Sequence, residues 1–254
     1  MRFMTSYHDL PPLAGLCTME EALKPGLSVE ECVRRLKRFH YAFVRLHGML
    51  TARITSEPIY ELKTAFAHHA YLCAEHATAI RQRVGEMREP PLGLEEVPHE
   101  ALKVFFDEIE YAPTTELFVH GVYIPGLASL SIGIERYLDE THPLTDAPSR
   151  RILKFAQSEI DDVVQIGIKI CLALHAENDE SMDWQHSILS ELIDIRTSDA
   201  KAKHENLPRR YSLTQRVFDP IPRRDERFQD LWNQGVNAEA FLYSDSTRPT
   251  PKRL

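Results

Sequence analysis

A chain of 254 residues that is 43% hydrophobic and 27% charged has the composition of a globular protein, with room for one large or two small domains. Its formal net charge of −8 argues against a general nucleic-acid binder. No apolar run approaches the roughly 20 residues of a membrane span, and the start, MRFMTSYHDLPPLAG, lacks the uninterrupted apolar core of a signal peptide.

Only 10 Gly are present and the Pro residues cluster between periodic segments, which favours a mostly helical chain. Cys17, Cys32, Cys73 and Cys171 show no Cys-x-x-Cys spacing, and all but Cys17 fall in helical patterns. Reduced thiols in a cytoplasmic protein are the expectation.

Residues 1 to 27 carry Pro11, Pro12 and Pro25 without periodicity, and are expected to form a leader packed across the helices. Ser28 with Glu31 has the spacing of a capping box. The helix it opens runs to about Ile54, with an inward stripe of Leu36, His40, Phe43, His47, Leu50 and Ile54. A short turn, Thr55 to Pro58, places Pro near the first position of the next helix and makes the two antiparallel neighbours.

That second helix, from about Ile59 to Met87, carries Leu62, Phe66, His69, Cys73, His76, Ile80 and Val84 in steps of three and four. Two imidazoles and a thiol thus occupy positions where a plain bundle places Leu. A turn centred near residue 56 sets His40 level with Cys73 and His47 level with Phe66, so that four histidines converge on one side of the hairpin.

After REPPLGLEEVP, a short amphipathic piece (Ala101, Leu102, Phe105, Ile109) leads to a third helix opened by Thr114 or Thr115. Its stripe is Leu117, His120, Ile124, Leu127, Ser131, Ile134 and Leu138, and Pro125 should kink it. A fourth helix, with Asp146 as N-cap and Pro148 in its first turn, presents Leu153, Ala156, Ile160, Val163, Gly167, Ile170 and Leu174. Gly167 leaves room there for a bulky neighbour or a close crossing, and Glu159 and Asp162 lie on the flank. A fifth helix is expected over about Met182 to Ile195, with Trp184, Ile188, Leu189 and Leu192 on its apolar face. Residues 1–198 then form a helical bundle with its leader, and 199–254 an irregular, mildly basic arm draped over the bundle or a partner subunit.

The segments RFHYAFVRLHGML, ELKTAFAHHAYLCAEHATAIRQRV and ETHPLTDAPSRRILKFAQSEIDD resemble parts of a group of little-characterised bacterial ferritin-like proteins, over about residues 30 to 175. The resemblance implies an all-α, ferritin-like antiparallel four-helix bundle, here with an extra helix and the C-terminal arm. Active members hold two iron or manganese ions between the helices, using a carboxylate from each of two helices and a Glu-x-x-His from each of the others. This chain departs from that pattern. Its first helix has no Glu beyond Glu31, Cys73 stands three before His76, and the fourth helix offers Glu159-x-x-Asp162.

The candidate metal ligands are therefore His40, His69, His76, His120, Glu159 and Asp162, a mixed N/O set whose imidazoles suit iron, zinc or copper, with iron or manganese the metals that the resemblance implies. The alternative is that these side chains fill a polar seam with no metal at all. Cys73, within helical reach of His69 and His76, is read either as a soft ligand or nucleophile or as a small buried hydrophobe. Two functions follow. One is a metal-dependent oxidase or oxygenase of the diiron type, acting on a small organic substrate. The other is a non-catalytic binding or partner subunit that has lost the dimetal site, within a homo- or hetero-oligomer. Neither reading involves nucleic acid or a membrane.

Overall fold

A computed structural model of the protein describes residues 10–87, 93–94, 96–174, 183, 189, 208–213 and 221–223. The chain is all-α, and no strand occurs among the described residues. Short α1 (Met19–Ala22) is followed by the long helices α2 (Val29–Ile54) and α3 (Tyr60–Glu86). Then come α4 (Glu100–Glu110), α5 (Thr115–Gly121), a π-helical stretch (Val122–Ala128), α6 (Ser129–Glu140) and long α7 (Ala147–Ala173). Helices α2 and α3 form one hairpin, and the continuous run α5–π–α6 forms a second with α7. The hairpins meet along α3 and α7 and along α2 and α6, while α4 lies against α2 and α5.

Local chemistry explains most boundaries. Ser28 accepts the Glu31 N–H at 3.1 Å and so caps α2. Only this half of the expected capping box forms, because the Glu31 carboxylate turns to Arg34 and to Arg35 Nε at 2.8 Å instead. The complete box is at Thr18 and Glu21, ahead of α1. Thr114 caps α5 by accepting the Leu117 N–H at 3.2 Å. Asp146 is the N-cap residue of α7, but its carboxylate makes no cap bond. It accepts from the Tyr137 and Thr141 hydroxyls instead, both at 2.7 Å.

All seven stripe residues of α3, Leu62 to Val84, are buried. On α7, Leu153, Ala156, Ile160, Val163 and Gly167 are buried, and Ile170 and Leu174 pack partly against the core. Helix α2 is buried on more than its stripe, taking in Arg35, Phe39, Ala42, Leu46 and Arg53, because α3, α4 and α6 all pack on it. Two of its buried cations have partners across the bundle. Arg35 reaches Glu140 at 2.7 Å, and Arg53 donates to the Ala112 carbonyl at 2.6 Å while lying 4.4 Å over the Phe118 ring. Fully buried rings fill the centre, with Phe66 edge-on to Phe118 at 5.6 Å and Phe39 edge-on to Tyr137 at 6.0 Å. Each such side chain contributes about 1.5–3 kcal/mol by burial, and edge-on pairing adds to it.

The third helix departs in part from the sequence expectation. Around Pro125, where a kink is expected, the backbone takes up the missing bond in a π-helical stretch. A π turn takes more residues than an α turn, which brings side chains next to the expected stripe into the core. Of the expected stripe, Leu117, Leu127, Ile134 and Leu138 are buried while His120, Ile124 and Ser131 are only half-buried, and Phe118, Tyr123, Leu130 and Tyr137 join the fully buried core beside them. The stretch Thr115–Glu140 also contains a window of mean hydropathy 1.6, long and apolar enough to cross a membrane by composition. Of that window 72% is buried inside the protein, as for a core helix.

Two segments beyond α7 touch the helices. The backbone N–H groups of Arg210, Tyr211 and Ser212 all point at Glu108 of α4, and Arg223 N–H donates to the Thr55 carbonyl at 3.0 Å. Leu189 is fully buried in the core. Apart from Asp183 and Leu189, the expected fifth helix, including Trp184, Ile188 and Leu192, and most of the arm at 199–254 lie outside the described residues.

Candidate functional site

Steps of four and three residues put His69, Cys73 and His76 on the face of α3 that meets α2 and α7. The long-range partner of His69 is Tyr123 of the π-helical stretch. Its Nδ1 and the phenol oxygen share a hydrogen bond of 2.7 Å, the donor being set by the imidazole tautomer. Burial holds the His69 imidazole down to about 4, with nearby His68 adding to the effect. The same burial pushes the Tyr123 phenol well above the usual tyrosine range, and the Cys73 thiol up to about 12. At neutral pH this centre is therefore an uncharged imidazole, phenol and thiol. Cys73 is no activated nucleophile there, since a thiolate would have to form without a compensating charge.

The Tyr123 ring fits because α7 has Gly167 opposite it. A Cβ at that position would stand 2.2 Å from Tyr123 Cγ. The room expected at Gly167 is thus occupied by Tyr123, which the sequence did not single out. The available signal was a helical Gly on one hairpin arm facing a Pro-containing apolar helix on the other.

His76 occupies the other end of the seam. Its Nε2 lies 2.9 Å from Glu159 Oε2, off the direction of a well-aligned imidazole N–H bond, so the contact is electrostatic rather than a linear hydrogen bond. The Phe43 ring packs 5.1 Å from the imidazole centre on the α2 side. Burial lowers the affinity of His76 for its proton, and Glu159, then Glu75, partly restore it; the net direction is down. Glu159 itself is about half exposed, so the pair sits at the edge of the core.

The remaining candidates are placed as follows. His40 is buried within α2 and His120 is half-buried on α5. Asp162 is exposed on α7. His47 Nδ1 lies 3.0 Å from the Ala70 carbonyl. The pairings of His47 with Ala70 and Phe43 with His76 displace the α2–α3 register by more than one helical turn from the expected one. The connection itself is close to expectation, a tight turn with α3 opening at Tyr60, within a residue of the expected start. Glu57 is buried in that turn, accepting from Ile59 N–H at 3.1 Å and from the Thr115 hydroxyl at 2.9 Å. Among the described residues, no group of three or more His, Cys, Asp or Glu side chains is gathered to hold a metal ion.

Compared with protein-family models, with curated proteins and with solved structures, the chain finds no match.

Proposed function

We propose that this chain is a ferritin-like helical bundle whose inter-helix space is filled, and that it works as a non-catalytic binding or partner subunit. The observation that carries this reading is the Tyr123–His69 hydrogen bond seated over Gly167. A large aromatic side chain from one hairpin occupies the seam of the other and engages the histidine that a metal would need. Phe43 packs against His76 from α2 in the same way. A dinuclear carboxylate centre draws acidic side chains from several facing helices, whereas His76 here meets one half-exposed carboxylate, Glu159. The residues present do not match that donor set.

Elemental analysis of protein grown in iron- and manganese-supplemented medium tests the reading, with well under one equivalent of metal expected. One equivalent or more, lost on His76→Ala without loss of fold, would overturn it. That result would favour a second reading, a metal-dependent oxidase or oxygenase of a small organic substrate. The observation on its side is the 2.9 Å approach of His76 to Glu159 at a solvent-reachable edge, a pair able to supply one nitrogen and one oxygen ligand to an iron or manganese ion.

A further inference from the structure

A cavity of about 740 Å³ lies on the outer side of the first three turns of α7, bounded by Leu16 of the N-terminal segment and by Pro143 of the loop before the helix. This volume is in the range of small-molecule sites, about 300–1,000 Å³. Its walls combine two chemistries. Leu16, Pro143, Ala147, Pro148 and Phe155 are apolar, and Leu16 and Phe155 remain 52% and 60% exposed. Arg150, Arg151 and Lys154 supply three cations, and among the described residues no carboxylate lines the cavity.

That absence of acid is notable in a chain of net charge −8. The cations differ in their commitments. Arg150 Nη1 donates to the Leu138 carbonyl and is held in place. The Arg151 guanidinium lies over the Phe155 ring at 5.1 Å, which braces the head group against the apolar wall. Among the described residues, neither Arg151 nor Lys154 forms an ion pair with a carboxylate.

We propose that this cavity binds an amphiphilic anion, a single carboxylate or phosphate head on an apolar chain. Arg151 and Lys154 would meet the head, with Ser158 beside them, and the chain would lie along Phe155, Pro148 and Leu16. A guanidinium suits either head group because its fork matches two oxygens at once. The site is separate from the His69–Tyr123 seam, and it stands whether or not the chain binds metal.

Titration calorimetry of the full chain with sodium decanoate, decyl phosphate, decanol and decyltrimethylammonium tests the proposal, all below their micelle concentrations. Both anions should bind, the tighter one identifying the head group. Affinity should rise about fourfold per added methylene until the cavity is filled, and fall with added salt. Charge reversal by R151E/K154E should weaken decanoate by about tenfold or more. Both side chains are exposed, so the melting temperature should hold. The single variant Lys154→Glu provides a second, milder reading.

Decanol or the cationic amphiphile binding as tightly as decanoate would overturn the proposal. So would unchanged decanoate affinity in folded R151E/K154E, or no anion binding up to about 1 mM.

Discussion

Glu108 and Ser212, 104 residues apart in sequence, meet in a double contact: one carboxylate oxygen accepts both the Ser212 N–H at 2.9 Å and its hydroxyl at 2.5 Å. The other oxygen accepts the Arg210 and Tyr211 N–H groups at 3.0 and 2.9 Å. A fully buried carboxylate is thereby matched by four donors, which is what makes its burial tolerable. Glu108→Ala should free this clasp and cost about 2–3 kcal/mol, because charge-assisted bonds are the strong ones. Limited trypsin digestion followed by mass spectrometry should then show faster cleavage at Arg209 and Arg210 than in the parent chain. Equal cleavage rates would mean that the clasp does not hold the arm.

The depressed proton affinity of His69 makes stability depend on pH in a stated window. Folded, the imidazole stays neutral down to about 4, against an ordinary value of 6.5. Between those values the unfolded chain binds more protons, so stability rises with pH. The contribution is complete above pH 6.5, declines as pH falls through the window, and is gone below the folded value; its full size is about 3 kcal/mol. His76 is shifted in the same direction and adds to the slope. Urea melts at steps between pH 7 and pH 4 should show this decline, and His69→Gln should flatten part of it.

Gly167→Ala should destabilise the chain although Ala is the better helix former by about 1 kcal/mol. The added methyl collides with the Tyr123 ring at 2.2 Å, and overpacking of this kind costs about 1–3 kcal/mol. A lowered melting temperature is the expected result, and the drop caused by Gly167→Ala should shrink when measured in a Tyr123→Ala background. A neutral or stabilising Gly167→Ala would show that the ring moves freely.

Thiol accessibility separates the four cysteines. Cys32, Cys73 and Cys171 are buried and Cys17 is half-buried. Burial also keeps the Cys73 thiol protonated, up to about 12. Under native conditions at neutral pH, iodoacetamide should label Cys17 first, and the other three only after denaturation, as read by peptide mass spectrometry. Rapid native labelling of Cys73 would contradict the closed seam.

Much of this architecture is legible from residue spacing. The stripe from Leu62 to Val84 and the run from Leu153 to Gly167 face the core as their periodicity requires. The caps at Ser28 and Thr114, the amphipathic α4 and the room left at Gly167 follow from side-chain chemistry within a turn or two. Spacing defines a face only in the frame of its own helix, and it holds only while the turn keeps 3.6 residues.

Tertiary structure decided the rest. The π-helical stretch around Pro125 delivered Tyr123 to the core and left His120 and Ile124 half-buried. The α2–α3 register moved by more than a turn although α3 begins within a residue of its expected start. The union of Glu108 with Ser212, and the gathering of Leu16 with Arg151 and Lys154 around one cavity, join segments far apart in the chain. Such pairings are selected by shape and by the matching of buried polar groups across helices. No local pattern encodes them, because each partner's signal is ordinary until the other is beside it.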